Sequence, residues 1–254
     1  MTSFWVFIVV LFVGSISASP DRIVGGQPTT VERYPSIVQV EFLSQLTSVW
    51  SHNCGGRFDF LSYVYRNSDA PFRRIRAGAT YRHVGGLVVY VDEALNHPSY
   101  GSSGIGGDIS VVRLKTALSY SPTIQQATIV THGSTVPDNH AVVFAGWGRI
   151  ASGGPHSHVL RDVTVYTINN ELCAQLYTQL SVPLNVTQDM ICAGVLNVGG
   201  RDACHDDSGG PVYFGDIVVG VISFGYDCAN GSWPSISSAV GSYTDWIVES
   251  AVLT

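Results

Sequence analysis

The sequence predicts an all-β protein closed by one C-terminal α-helix, and three observations carry that prediction. From Ile23 onward, short runs of Val, Ile, Tyr and Phe are broken at close spacing by Gly, Asn-Gly and Pro turns, the pattern of a barrel or sandwich. Only the tail, Tyr243–Leu253, spaces its apolar residues at helical intervals. With 254 residues, 45 % hydrophobic and 13 % charged, the chain can bury a sizeable core in one large domain or two small ones.

Taken in order, the chain opens with an apolar run, Phe4–Val13, followed by the small residues Gly14-Ser15-Ile16-Ser17-Ala18. This reads as a signal peptide over residues 1–18 with cleavage near Ser17 or Ala18, and it is too short to span a bilayer as a mature helix. A secreted, extracellular protein with no membrane role is expected, and sequons at Asn185 and Asn230 fit that route. Strands are expected at Ser36–Phe42, Leu87–Val91, Ala141–Ala145, Val159–Tyr166 and Ile217–Ser223. The least regular connection, Thr116–Gln126, marks a crossover between halves at about 23–120 and 121–254. A net charge of −6 without any Lys/Arg run excludes a nucleic-acid footprint. Lys115 is the only lysine among 13 basic residues. Arg keeps its charge in a strongly alkaline fluid where Lys does not, which points to a gut lumen, although the base composition of the gene would give the same bias.

The chemistry centres on Cys204-His205-Asp206-Asp207-Ser208-Gly209-Gly210-Pro211. Acyl transfer needs a nucleophile, a base that takes its proton, a group that orients the base and donors for the oxyanion. A serine in a glycine-flanked turn offers the first of these and, by itself, is usually only a turn. It has company here: Arg22-Ile23-Val24-Gly25-Gly26, Gly107-Asp108-Ile109-Ser110-Val111-Val112-Arg113-Leu114, Ala145-Gly146-Trp147-Gly148, Ile191-Cys192-Ala193-Gly194 and Ser223-Phe224-Gly225.

In this order, the motifs resemble the trypsin/chymotrypsin family of serine proteases, in particular insect digestive trypsin-like enzymes, over residues 23–254. The resemblance implies two six-stranded Greek-key β-barrels with the active site in the cleft between them. It implies Ser208 as nucleophile, Asp108 as the carboxylate that orients the base, and the backbone of Asp206 and Ser208 as the oxyanion hole. Asp202 matches the acidic floor of a specificity pocket for Arg or Lys, with Ser223, Gly225 and Ser235 on its walls. Residues 19–22 match an activation peptide. Cleavage after Arg22 by a trypsin-like protease would free the Ile23 ammonium to pair with buried Asp207, since an unpaired buried charge is very costly. The resemblance also implies bridges Cys173–Cys192 and Cys204–Cys228, a monomer, no metal or cofactor, and protein or peptide substrates or inhibitors in the cleft.

The departures are as informative. After Cys54-Gly55-Gly56 the family carries its general-base histidine in an Ala-Ala-His-Cys run, whereas this chain reads Arg57-Phe58-Asp59-Phe60-Leu61-Ser62-Tyr63-Val64-Tyr65-Arg66. One change thus removes the base and the partner of Cys54, leaving Cys54 as the odd thiol among five. Asp206, Asp227 and Ser235 stand where the family uses glycine, so each Cβ is expected either to strain the backbone or to fill space a substrate needs. A carboxylate at 206 is expected to oppose the developing oxyanion. His52, His83, His97, His132, His140, His156, His158 and His205 are expected to be exposed or structural. The expected protein is a catalytically impaired protease homologue. The alternative is an active digestive endopeptidase cleaving after Arg or Lys, of which residues 57–68 are an aberrantly spliced or frame-shifted stretch.

Overall fold

The computed structural model describes residues 23–52, 67–101 and 106–253. The expected signal peptide, Arg22, Cys54 and residues 57–66 lie outside the described residues. Among the described residues, thirteen strands and two α-helices follow one another. The strands are β1 Gln27–Pro28, β2 Val38–Leu43, β3 Trp50–His52, β4 Arg73–Ala77, β5 Leu87–Asn96, β6 Ser110–Leu114, β7 Thr128–Ile129, β8 Ala141–Gly146, β9 Arg161–Ile168, β10 Met190–Gly194, β11 Pro211–Phe214, β12 Ile217–Phe224 and β13 Ser235–Ala239. The helices are α1 Asn170–Tyr177 and α2 Val240–Leu253.

In the second half, β8, β9, β10, β13, β12 and β11 pair antiparallel in turn, and β11 returns to β8, closing a six-stranded barrel. In the first half, the described residues form a five-stranded sheet in the order β3-β2-β4-β5-β6. The first strand of the chain does not join that sheet: β1 adds to β9, with Gln27 opposite Asp162, so the N-terminal segment is stitched to the other half. Between β6 and β7 the chain has no strand, only a bridge of Ser121 to Ile124, as the irregular sequence there predicts.

Alternation explains the barrel interior. Val142 and Phe144 on β8 and Val163 and Val165 on β9 point inward with Val212, Val219 and Ile222, all essentially inaccessible, and Ile23 joins them. Each such side chain contributes about 1.5–3 kcal/mol on burial. A second cluster, including Val31, Tyr34, Trp147, Leu160, Tyr213 and Val240, packs the 29–37 segment and the start of α2 against the barrel.

The helix α1 was not legible as a periodic pattern. Its start is set by Asn169, whose side chain accepts from the Leu172 amide at 3.1 Å, and it is held by the Cys173–Cys192 bridge to β10.

The first-half sheet has an unusual interior. On β2 the inaccessible side chains are Gln39 and Glu41, not the valines. Glu41 receives Arg74 Nε at 2.6 Å and Arg76 Nε at 2.8 Å, and His83 Nδ1 lies 3.2 Å away. Gln39 accepts from the His83 amide and donates to the Tyr81 carbonyl. Burial works to raise the Glu41 carboxyl, but the bonds from Arg76, His83 and Arg74 outweigh it and hold it below the usual carboxylate range.

Candidate active site

The Cys204–Pro211 loop sits at the mouth of the closed barrel, pinned to β12. The Gly209 amide donates to the Ile222 carbonyl at 2.6 Å, and the Ile222 amide donates to the Gly210 carbonyl at 2.9 Å. The pairing of β12 with β13 shifts register between Ile222 and Phe224, so Ser223 occupies a bulge. From there its hydroxyl donates to Asp108 Oδ2 at 2.5 Å. Half-buried Ser208 and Asp108 are thereby both tied to the C-terminal end of β12.

Asp108 comes from the segment just before β6. Its backbone carbonyl accepts from Ser238 Oγ at 2.7 Å, and the preceding Gly107 amide donates to the Tyr243 hydroxyl of α2 at 3.0 Å. Burial pushes the Asp108 carboxyl up, opposed by the Ser223 bond. Among the described residues, Ser223 is the side chain that donates to it. A carboxylate in this setting costs stability at alkaline pH, and its amide isostere keeps the Ser223 bond. Asp108→Asn should therefore melt no lower than the parent at pH 8, within about 1 kcal/mol. A clear loss would reveal a cationic partner for Asp108.

The glycine replacements behave in three different ways. Asp206 has φ +72°, a left-handed conformation that Asp tolerates better than most residues. Its carboxylate accepts from His156 Nε2 and lies 3.9 Å from Arg149 Nε. His156 and Asp206 are 50 residues apart, and the Arg149–His156 bridge and the bond from the Arg149 amide to the His205 carbonyl bring the two loops alongside. Asp227 stays at the surface, accepting from Ser152 Oγ at 3.0 Å and from the Cys228 amide at 2.7 Å. Ser235 is buried at the start of β13.

The two remaining acidic residues are both inaccessible. Asp207 accepts from the Cys204 amide at 3.0 Å and the Gly148 amide at 2.8 Å. A Cβ at Gly146 or Gly148 would fall on this carboxylate, so the Gly-Trp-Gly run is the close approach that lets an acid lie there. Burial pushes the Asp207 carboxyl up to about 7 in the uncut chain, with the two amides opposing and Asp206 reinforcing. Asp202 accepts from the Ala203 amide at 2.8 Å and the Ala229 amide at 3.1 Å, and Ser235 supplies a side-chain bond. Burial pushes it too up to about 7. The N-terminal segment meets this floor directly: Val24 bridges Asp202, and Ile23 lies buried in the barrel core beside Ala203.

The bridges Cys173–Cys192 and Cys204–Cys228 are both formed. The Cys204–Cys228 bridge ties the Ser208 loop to the Gly225–Cys228 turn.

Six histidine rings, those of His52, His83, His97, His132, His140 and His156, are engaged elsewhere. His52, on β3, is buried against Trp147 and His83, and burial, with nearby Arg82, His83 and His156, pushes it down to about 3. His97 meets Ser99, Tyr243 and Trp246, His132 meets Asp245, and His140 meets the Asp138 carbonyl. The backbone carbonyl of His205, half-buried within the serine loop, accepts from the Arg149 amide. Among the described residues there is no cluster of His, Cys, Asp or Glu suited to a metal ion, and no helix long and apolar enough to cross a membrane.

Comparison with known proteins agrees with this architecture. A family model described as Trypsin matches residues 23–247. The chain is 39 % identical to "Trypsin, alkaline C" of Manduca sexta over 241 residues, covering 92 % of this chain and 93 % of that protein. It is 35 % identical to "Trypsin CFT-1" of Choristoneura fumiferana, covering 96 % and 98 %, and 32 % identical to "Trypsin alpha" of Drosophila melanogaster, covering 91 % and 88 %.

Proposed function

The chain belongs to the trypsin family of serine proteases, and from that premise we propose that it is a secreted, catalytically impaired homologue whose cleft binds a protein, peptide or inhibitor. One observation carries this reading: the segment Arg57–Arg66 that follows Cys54-Gly55-Gly56 contains no histidine to take the proton of Ser208. Ser208 is the former nucleophile, Asp108 the carboxylate that would have oriented the base, and the Asp206 and Ser208 amides the remnant oxyanion donors. Asp202, with Ser223, Gly225 and Ser235, forms the former specificity pocket.

The activation switch is retained in this reading. A trypsin-like protease cuts after Arg22, and the new Ile23 ammonium pairs with Asp207, whose burial otherwise disfavours its charge. Processing then organises the cleft for binding rather than turnover. The protein acts as a monomer.

A fluorophosphonate probe tests the reading directly, because it captures a serine only where a base activates it. The processed chain should remain unlabelled at Ser208 under conditions that label an active trypsin to completion. Stoichiometric labelling abolished by Ser208→Ala would refute impairment. Identity of 39 % to an alkaline trypsin over nearly the whole chain favours a second reading, an active digestive endopeptidase in which residues 57–68 are aberrant. Sequencing the transcript across Gly56–Ala77 decides between them: a restored Ala-Ala-His-Cys run establishes the second.

A further inference from the structure

We infer that Asn185 carries an N-linked oligosaccharide and that the second sequon, at Asn230, stays bare. This inference rests on the reading of the chain as secreted.

Both tripeptides satisfy the acceptor pattern, with Val186 and Gly231 between the asparagine and the hydroxyl residue. The fold treats them differently. Asn185 lies in the stretch 183–187, which is neither helix nor strand and leads from α1 to β10. Its neighbours turn inward: Val186 is only 7 % exposed in a cluster with Cys173, Tyr177 and Met190, and Leu184 packs against the same cluster. Asn185, between them, is exposed, so a sugar on its Nδ2 would extend into solvent. The loop is anchored beside this amide and not through it. Asn170 Nδ2 donates to the Thr187 carbonyl at 3.0 Å, and the Thr187 hydroxyl donates to Asp189. A bulky, solubilising group can therefore be added at Asn185 without displacing a packed side chain.

Asn230 sits in a clamp. It is half-buried, and its Oδ1 accepts from the Ser232 amide at 2.8 Å, folding the tripeptide onto itself. On one side the Gly200 amide donates to the Ala229 carbonyl at 3.0 Å, and on the other the Asn197 amide donates to the Gly231 carbonyl at 2.7 Å. A Cβ on Gly231 would stand 3.0 Å from the Gly199 and Val198 amide nitrogens, so the middle residue of this sequon is pressed onto the 197–200 turn. Cys228, two residues before Asn230, is bridged to Cys204. An acceptor has to be drawn out as an open segment into the transferase, and each of these ties opposes that.

The transfer itself is a substitution at the sugar. Asn185 Nδ2 forms a bond to the anomeric carbon of an oligosaccharide carried on a polyprenyl diphosphate. The bond from that carbon to the diphosphate oxygen breaks, the lipid diphosphate leaves with the electron pair, and the amide nitrogen gives one proton to a base of the transferase.

The full chain expressed in insect cells and recovered from the medium provides the test. Amidase release of the glycan in heavy-oxygen water, followed by peptide mapping, marks each formerly modified asparagine as a labelled aspartate. The label is expected at Asn185 and not at Asn230. Asn185→Gln should bring the secreted chain to the gel mobility of the amidase-treated parent, whereas Asn230→Gln should leave mobility unchanged. Thr187→Ser, which keeps an acceptor hydroxyl, should keep the glycan, and Thr187→Ala should lose it. A secreted chain that is bare at Asn185, or modified at Asn230, would overturn the inference and leave secretion standing. A chain retained in the cell with the sugar on Asn185 alone would overturn secretion only, and one retained and bare at both sites would overturn both.

Discussion

Processed with trypsin after Arg22, the chain should hydrolyse an Arg-amide reporter no faster than its Ser208→Ala variant. Removing the base of a Ser-His-Asp triad costs on the order of 10⁶ in kcat, which alone brings turnover near the level that binding and oxyanion donors sustain. An oxyanion hole does not replace a base: one donor of that kind contributes about 10²–10³. The Asp108 carboxylate is held by Ser223, whose hydroxyl donates to it. Burst and steady-state assays on both proteins, purified identically, settle the comparison. Ser208-dependent turnover from this chain would require a substitute base, and His205, half-buried within the same loop, is the first residue to replace.

The second large effect concerns pH. Asp207 titrates near 7 in the uncut folded chain against about 4 when unfolded, so between these values the folded state holds more protons. Stability therefore falls as pH rises from about 4 to about 7 and is level above that. A displacement of about 3 pKa units corresponds to about 4 kcal/mol, or roughly 10 °C in Tm for a domain of this size. Asp202, shifted the same way, adds to the fall. The uncut chain should thus melt well below its pH 5 value at pH 8. Cleavage after Arg22 supplies the Ile23 ammonium, which stabilises the ionised form and should restore much of the loss. Asp207→Asn should flatten the Asp207 part of the slope in the uncut chain and abolish the gain on cleavage. Calorimetric scans of both forms of both proteins at pH 5 and 8 measure this. If the uncut chain melts equally at both values, Asp207 has a charged partner before processing.

These two effects also show what was legible in the sequence. The serine loop and the Gly-Trp-Gly run were readable as contiguous motifs, and the two bridges because the resemblance implies their pairing. The closing helix α2 was readable because its apolar spacing extends over several turns. Helix α1 was not, since eight residues with exposed Leu172 display little periodicity, and Asn169 before Glu171 was the one available signal. The His156–Asp206 pair was hidden because nothing local links a loop histidine to an acid 50 positions away. On β2 the alternation Val38-Gln39-Val40-Glu41 suggests valines inside and polar residues in water. The fold covers both faces, so Val38 and Val40 pack on Ile75, Ala77 and Val89 while the polar pair is buried beneath the 81–83 segment.

That buried acid gives the first half a proofreading device for strand alignment. Glu41 stands opposite Arg74, and Gln39 opposite Arg76. Sliding β4 by one residue would send both arginines to the other face and leave the enclosed Glu41 with Arg73 as its one possible partner in place of two guanidinium groups. Misaligned hairpins are thus rejected by charge as well as by shape, before any covalent link could correct them. With Cys173–Cys192 and Cys204–Cys228 both in the other half, the first-half sheet carries, in one carboxylate and two guanidinium groups, the means to register its own strands.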